Sequence, residues 1–328
     1  MKCINKWICL SLLIAVSCVS GCGKTSAVIE QPYDVYATAA DFGLSSNGTA
    51  EAKSYFASDL CVSEDVAIGT DSTDSQVAEG AGTFNLETNT VVYAKNLYER
   101  LYPASTTKIL TAYIALKYCD DLDAMVTVSE NAVNQASDSS VCNLKAGDVI
   151  RLRDLLYGLM LRSGNDAAVA IAEYISGDVD SFAALMNQEV VAMGATRSHF
   201  VNPNGLPDEN HYTCVYDMYL IFSNAIKNDT FVSIIGTTSY DVTYTDASGE
   251  AVTHTWENTN QYLTGNATTP DGFQIVGGKT GTTGEAGYCL VLYSYNPSGQ
   301  PIISIVFKAD GKSNLYLLMN EMLQGFAI

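Results

Sequence analysis

The chain alternates between two hydrophobic periods, one typical of strands and one typical of helices. Thr83-Phe84-Asn85-Leu86 and Val91-Val92-Tyr93-Ala94 flank a polar turn, which predicts a β-hairpin. From Ile109 onward, apolar residues recur at i, i+3, i+4 and i+7, the spacing of one helical face. Because Pro103 is typical of a helix entrance, Ser105 is expected in the first turn of this helix.

The same two periods continue to the end of the chain. Four more helices and three closely joined, antiparallel strands are predicted, over 152–160, 165–175, 179–193 and 313–323 and near 273–280, 286–295 and 301–309. The first of these helices breaks at Ser163-Gly164. The segment 201–207, Val-Asn-Pro-Asn-Gly-Leu-Pro, predicts a turn.

The first 22 residues have the composition of an export signal. Two lysines precede an apolar run from Trp7 to Val19, which is too short for a comfortable membrane span. The run ends in Val19-Ser20-Gly21-Cys22, which resembles the lipobox of bacterial lipoproteins, where a cysteine is lipidated and becomes the new N-terminus. We therefore predict a lipoprotein signal peptide over 1–22 and lipidation of Cys22. Cleavage without a lipid is the alternative.

Residues 23–82 are rich in small and polar residues and show little periodicity, which predicts a tether and a loosely structured lead-in. The folded domain is then expected over 83–328. Loss of residues 1–21 removes two lysines and no acid, so the formal net charge goes from −19 to −21. An acidic surface of this kind argues against nucleic acid as a partner.

Three short motifs could carry chemistry: Ser105-Thr106-Thr107-Lys108, Ser163-Gly164-Asn165 and Lys279-Thr280-Gly281. They fall at a helix start, at a break between helices and at the end of a strand. Residues i and i+3 share a helical face, so the Lys108 amine can reach the Ser105 hydroxyl. That amine accepts a proton only when it is neutral, and burial and the cation of Lys279 would both lower its pKa. The Ser105 amide, in the first turn, is well placed as half of an oxyanion hole.

Other reactive side chains do not indicate a metal or a histidine-dependent mechanism. The chain has three histidines, His199, His211 and His254, none at metal-ligand spacing or in a Ser-His-Asp signature, and most such histidines are surface or structural. Five cysteines follow Cys22 without a C-x-x-C spacing. Most are expected to be small buried hydrophobic residues, and disulfides stay open. No cofactor and no metal are implied.

With their surroundings, the motifs resemble the serine D-alanyl-D-alanine carboxypeptidases, which are low-molecular-mass penicillin-binding proteins. The resemblance covers about 83–328. The matching segments are Tyr102–Thr111, Leu144–Asp148, Arg162–Ala167, Asn202–Pro207, Tyr216-Asp217, Gly278–Thr283 and Ala286–Tyr288. It implies an α+β fold, in which a central antiparallel sheet is covered by helices beside a mostly helical subdomain, with the active-site cleft between them.

The resemblance also implies roles for individual residues. Ser105 would attack the carbonyl between the last two D-alanines of a peptidoglycan stem peptide, Lys108 would be its general base, and Ser163 would pass the proton to the leaving amine. Asn165 would hold the substrate backbone. Lys279 and Thr280 would bind the terminal carboxylate of the substrate. The amide of Thr282 would join that of Ser105 in the oxyanion hole, and Gly281 would allow the backbone to approach. β-Lactams would be covalent inhibitors, and a lipid at Cys22 would attach the protein to the membrane.

Two alternatives share parts of this pattern. A class A β-lactamase needs a further carboxylate, in a Glu-x-x-Leu-Asn stretch after the second motif, to activate water for deacylation. The corresponding segment, 194–204, contains no acid, so a long-lived penicilloyl adduct is expected. A wall-binding lipoprotein that lost catalysis would show a gap among the motif residues, and none is missing.

Overall fold

A five-stranded antiparallel sheet, in the order β2-β1-β9-β8-β7, organises the computed structural model. Its strands are β1 (Ala78–Asn85), β2 (Thr90–Lys95), β7 (Gln274–Thr283), β8 (Gly287–Tyr295) and β9 (Pro301–Ala309). The structure describes residue 57 and residues 59–328. The predicted signal peptide over 1–22, the lipidation site at Cys22 and most of the predicted tether lie outside the described residues.

Nine α-helices are found in the described part of the chain. They are α1 (Lys108–Tyr118), α2 (Glu130–Val133), α3 (Leu152–Tyr157), α4 (Asn165–Ser176), α5 (Val179–Ala192), α6 (Val215–Ala225), α7 (Asp229–Ile235), α8 (Gln261–Thr264) and α9 (Lys312–Phe326). The predicted hairpin, the antiparallel C-terminal strands and the last helix are therefore present, with ends shifted by a few residues. The α+β class is confirmed.

Helices cover both faces of the large sheet. On one face, Leu318 and Met322 of α9 join a buried cluster with Leu290 and Val306 of the sheet. On the other face, residues of α1 and α6 pack in the main core together with Phe84, Val291 and Ile305. Because helices cover both faces of the sheet, nearly all residues of β8 and β9 are buried, and buried and exposed positions do not alternate along these strands.

A second antiparallel sheet, in the order β3-β4-β5-β6, lies in the predicted helical subdomain. Its strands are β3 (Met125–Thr127), β4 (Val149–Arg151), β5 (Ser239–Thr245) and β6 (Ala251–Glu257). Neither this sheet nor α6 and α7 was predicted from the sequence pattern. Strands of three residues, such as β3 and β4, are too short to show a period of two, and β4 and β5 pair across a long stretch of chain.

The folded domain was expected to start at residue 83, but regular structure begins earlier in the chain. Strand β1 begins at Ala78, and Ile68 exchanges two backbone hydrogen bonds with Ala94, of 2.8 and 3.1 Å. Cys61 is fully buried, and its amide donates to the Tyr219 hydroxyl at 2.9 Å. Residues 59–82 are thus packed on the domain, through single anchoring residues that leave no periodic signal in a polar stretch.

All five cysteines of the described region are free, and four of them are buried: Cys61, Cys142, Cys214 and Cys289. Most therefore behave as the small buried hydrophobic residues that were expected. Among the described residues, no helix combines the length and the apolar character that a membrane crossing requires.

Candidate active site

The nucleophile candidate lies at a sharp helix start. Residues Ala104–Thr107 form a 3₁₀ turn that runs directly into α1 at Lys108, so Ser105 lies in the first turn, as predicted. Ala104 has a φ of 47°, in the left-handed region that non-glycine residues rarely occupy. The backbone amides of a first turn have no partner within the helix, so the Ser105 amide is a candidate anion donor.

Lys108 contacts three oxygen atoms although its side chain is fully buried. Its Nζ lies 2.9 Å from Ser105 Oγ, 2.8 Å from Asn165 Oδ1 and 2.6 Å from the carbonyl oxygen of Asn204. The amine and the hydroxyl are thus within hydrogen-bonding distance across one helical turn. Asn165 and Asn204 come from other segments, so the tertiary structure completes the set.

These partners determine what the Lys108 amine can do. The amide oxygen of Asn165 and the carbonyl oxygen of Asn204 can only accept hydrogen bonds, and they use both N–H bonds of a neutral amine. The lone pair is then left for the Ser105 hydroxyl, the one partner that can donate. The arrangement can therefore take the proton from Ser105 as the serine attacks.

The environment favours the neutral form of this lysine. Burial lowers the pKa of Lys108 well below its usual value, and the cation of Lys279 lowers it further. Burial alone lowers the pKa of Lys279 to about 7. Two buried amines that share one site resist being charged together. This agrees with the expectation that Lys279 lowers the pKa of Lys108.

The second motif lies at a break between two helices. After α3 the chain widens into one π-helical turn, Gly158–Arg162, and Ser163 follows in the left-handed region with a φ of 61°. A Cβ on Gly164 would come within 2.3 Å of Cys142 Sγ, so that position is restricted to glycine. Asn165 then begins α4, and its backbone amide donates to the carbonyl oxygen of Ser140 at 2.8 Å.

The third motif belongs to β7, the edge strand beside the nucleophile. A Cβ on Gly281 would lie 3.0 Å from the Ser105 nitrogen, so glycine allows the strand to approach the 3₁₀ turn closely. The Lys279 side chain is 1% exposed, and its Nζ donates to the carbonyl oxygen of Thr280 at 2.8 Å. Thr280 Oγ1 lies 2.6 Å from Thr259 Oγ1.

Two adjoining cavities meet at Ser105. A cavity of about 220 Å³ is lined by Ser105 and Ser163 together with Thr280, Gly281 and Thr282. A second cavity of about 360 Å³ extends on the side of Asn165. The structure thus brings all three motifs to one cleft, although Lys279 lies buried behind its wall.

Lys312, at the start of α9, also lines the smaller cavity and was not predicted from the sequence. It stands 33 residues after Lys279 and carries no motif of its own. Because Thr280 and Thr282 line the same cavity, Lys312 adds a second lysine to this part of the cleft. Only the packing of α9 against the sheet could reveal it.

This serine and lysine in a cleft between a sheet and a helical region define a class of protein. Residues 69–311 match the family model described as D-alanyl-D-alanine carboxypeptidase, and the chain belongs to this family. It is 33% identical to the D-alanyl-D-alanine carboxypeptidase DacF of Bacillus subtilis, over 75% of this chain and 61% of that protein. It is 34% identical to a D-alanyl-D-alanine carboxypeptidase of Streptomyces sp. strain K15, over 76% of this chain and 88% of that protein.

Solved structures agree with the assignment of the fold. The crystal structure of the Streptomyces K15 DD-transpeptidase superimposes with a TM-score of 0.71 at 32% identity, and covers 77% of this chain and 98% of that chain. The D-alanyl-D-alanine carboxypeptidase DacD of Francisella tularensis gives 0.67 at 28% identity, over 81% of this chain and 72% of that chain. The predicted penicillin-binding protein fold is confirmed.

Proposed function

We propose that this protein is a serine D-alanyl-D-alanine carboxypeptidase, which removes the terminal D-alanine from peptidoglycan stem peptides through an acyl-enzyme. The observation that carries the proposal is the Lys108 amine, with Ser105 Oγ at 2.9 Å and two acceptor oxygens on its other sides. Membership of the family supports the substrate class.

In the first half of the reaction, Ser105 Oγ attacks the carbonyl carbon of the penultimate D-alanine while Lys108 takes its proton. The oxyanion that forms is stabilised by the backbone amides of Ser105 and Thr282, which the close approach of Gly281 supports. Ser163 passes a proton to the leaving amine, and D-alanine departs. Water then hydrolyses the ester and regenerates Ser105.

Substrate binding uses the two ends of the cleft. Asn165 has its amide oxygen on Lys108, which leaves its amide nitrogen for a carbonyl of the substrate backbone. The terminal carboxylate binds to Thr280 and Lys312, which line the smaller cavity, and interacts with the cation of Lys279, which lies buried behind the wall of that cavity. A charged carboxylate compensates for the burial of Lys279 and keeps that amine protonated.

The experiment uses protein that lacks residues 1–22. It should release D-alanine from peptides that end in D-Ala-D-Ala, and fluorescent penicillin should label it at one serine. Ser105→Ala should abolish both activities while the protein stays folded. Labelling of Ser105→Ala would overturn the assignment. Product analysis on isolated peptidoglycan then separates carboxypeptidase from endopeptidase action.

The β-lactam adduct is expected to be long-lived, because the segment 194–204 contributes no carboxylate to activate a deacylating water. The measurement is the decay of the fluorescent label after free penicillin is removed. Turnover within seconds would favour a β-lactamase instead.

The location of the protein rests on the N-terminal sequence. We infer that it acts outside the cytoplasmic membrane, held by a lipid on Cys22, with the stretch that follows Cys22 as the tether to the catalytic domain. Cys22→Ser should move the protein from the membrane fraction to the soluble fraction. Unchanged fractionation would refute the lipid and leave the catalytic proposal intact.

A further inference from the structure

His211 lies outside the three motifs but bridges two segments of the active site. Its side chain is 1% exposed, and Nε2 lies 2.9 Å from Thr107 Oγ1, within the nucleophile turn. On its other side the amide of Val201 donates to Nδ1 at 3.2 Å. Because Nδ1 accepts a hydrogen bond, the proton of the neutral ring is on Nε2 and is donated to Thr107.

Val201 begins the loop 201–207, which supplies the third partner of Lys108. The carbonyl oxygen of Asn204, in the middle of this loop, accepts from Lys108 Nζ at 2.6 Å. The loop is also tied to α1 through Thr111 Oγ1, which donates to the carbonyl oxygen of Pro203 at 2.7 Å. His211 therefore fixes the start of the loop to the turn that carries the nucleophile.

We propose that His211 is a positioning residue for the acylation step. Its neutral ring holds the loop 201–207 against the nucleophile turn, so that the Asn204 carbonyl stays on the Lys108 amine and the amine lone pair points at Ser105. The inference rests on the proposed function, because it takes Lys108 as the base. One ring nitrogen of His211 must donate and the other must accept. In a doubly protonated ring, the Nδ1–H would point at the backbone N–H of Val201.

The test uses substitutions that each keep one of the two hydrogen bonds. In His211→Asn the side-chain oxygen can still accept from Val201, whereas in His211→Gln the side-chain amide can still donate to Thr107. Thr107→Val keeps the shape of the turn but removes the acceptor of the Nε2 proton. His254→Gln, on the outer strand β6, is the matched control for replacing a histidine.

Stopped-flow acylation by a chromogenic β-lactam separates the acylation rate constant from the dissociation constant of the initial complex. We expect the rate constant to fall roughly 10- to 100-fold in His211→Asn and Thr107→Val, which both lose the hydrogen bond between His211 and Thr107, while the dissociation constant is unchanged. His211→Gln loses the bond from Val201 instead and should slow acylation to a similar degree. The double variant His211→Asn/Thr107→Val should lose no more than either single variant, because both changes break the same contact. His254→Gln should match the parent protein.

The proposal is overturned if Thr107→Val and His211→Asn acylate at the parent rate, if only the dissociation constant changes, or if the losses of these two variants add. Circular dichroism and a thermal melt establish that each variant is folded, and Thr107→Val carries the test should the His211 variants unfold. Failure here leaves acylation of the parent at Ser105 untouched, so it is distinguishable from failure of the proposed function.

Discussion

The two walls of the cleft each contain a buried lysine, and the two lysines differ in their partners. Lys108, on the helical wall, is held by three oxygens, two of which can only accept. Lys279, on the strand wall, donates to the carbonyl oxygen of its neighbour Thr280. Burial lowers the pKa of both amines. Burial thus lowers the pKa of either amine, whereas the geometry of the acceptors determines where the lone pair of a neutral amine points.

The largest effect is expected on the helical wall. Lys108→Met should lower the acylation rate constant by about 10³-fold, within the range for loss of a general base. The variant should fold but lose roughly 1–3 kcal/mol of stability, because Asn165 Oδ1 and the Asn204 carbonyl lose a buried donor. Penicillin labelling and urea denaturation measure the two effects. Lys227→Met, at an exposed position, is the control, and an unaltered rate in Lys108→Met would remove lysine from the base role.

The loop that supplies the Asn204 carbonyl offers a second way to break the helical wall. Gly205 has a φ of +87°, and a Cβ there would lie 1.9 Å from the Ala104 carbonyl oxygen. Gly177 has a similar φ of +86°, but a Cβ there meets nothing within 4 Å. Gly205→Ala should therefore displace the loop and cost more than 3 kcal/mol, whereas Gly177→Ala should cost about 1–2 kcal/mol for backbone strain alone. Equal losses in denaturant melts would contradict this account.

On the strand wall, Lys279→Met should affect recognition more than folding. The ratio of kcat/KM for a peptide with a free terminal carboxylate to that for its terminal amide should fall by about 10- to 100-fold, the loss of one charge-assisted hydrogen bond. Stability at pH 7 should be equal or higher, because a desolvated amine is replaced by an apolar chain. Lys227→Met, on the surface, should change neither quantity. If Lys279→Met destabilised the fold as much as Lys108→Met, the contrast between the two walls would be lost.

At neutral pH the smallest expected effect concerns the charge of His211, which changes stability only as the solution becomes acidic. Burial, the largest cause, lowers its pKa from 6.5 to about 4, with Asp208 opposing the shift and His199 and Lys108 adding to it. A depressed pKa means that the unfolded state binds the proton first, so the contribution of His211 is complete above pH 6.5 and is lost as the pH falls towards 4. His211→Gln should flatten the decline of stability over this window by up to about 3 kcal/mol, since one pKa unit corresponds to about 1.4 kcal/mol, and His254→Gln should not. Parallel curves for the parent and His211→Gln would contradict the assignment of a neutral ring.

Local patterns were sufficient to predict much of this molecule. The helical period after Pro103 placed Ser105 and Lys108 on one face, and the Ser163-Gly164 break and the end of β7 placed the other two motifs at junctions. The second sheet was not predictable in this way, since β3 and β4 are three residues each and owe their pairing to distant partners. The anchoring of residues 59–82 was missed for a similar reason, because Cys61 and Ile68 bind as isolated residues.

The reactive groups and their local geometry follow from short stretches of the chain, because a helix or strand period depends on neighbouring residues. The surroundings of those groups depend on the folded structure. It brought the Asn204 carbonyl to Lys108, Lys312 to the cavity that Ser105 and Thr280 line, and His211 to Thr107. The physical reason is that acceptor placement, burial and the resulting pKa values depend on atoms from segments far apart in the chain, and packing sets their distances.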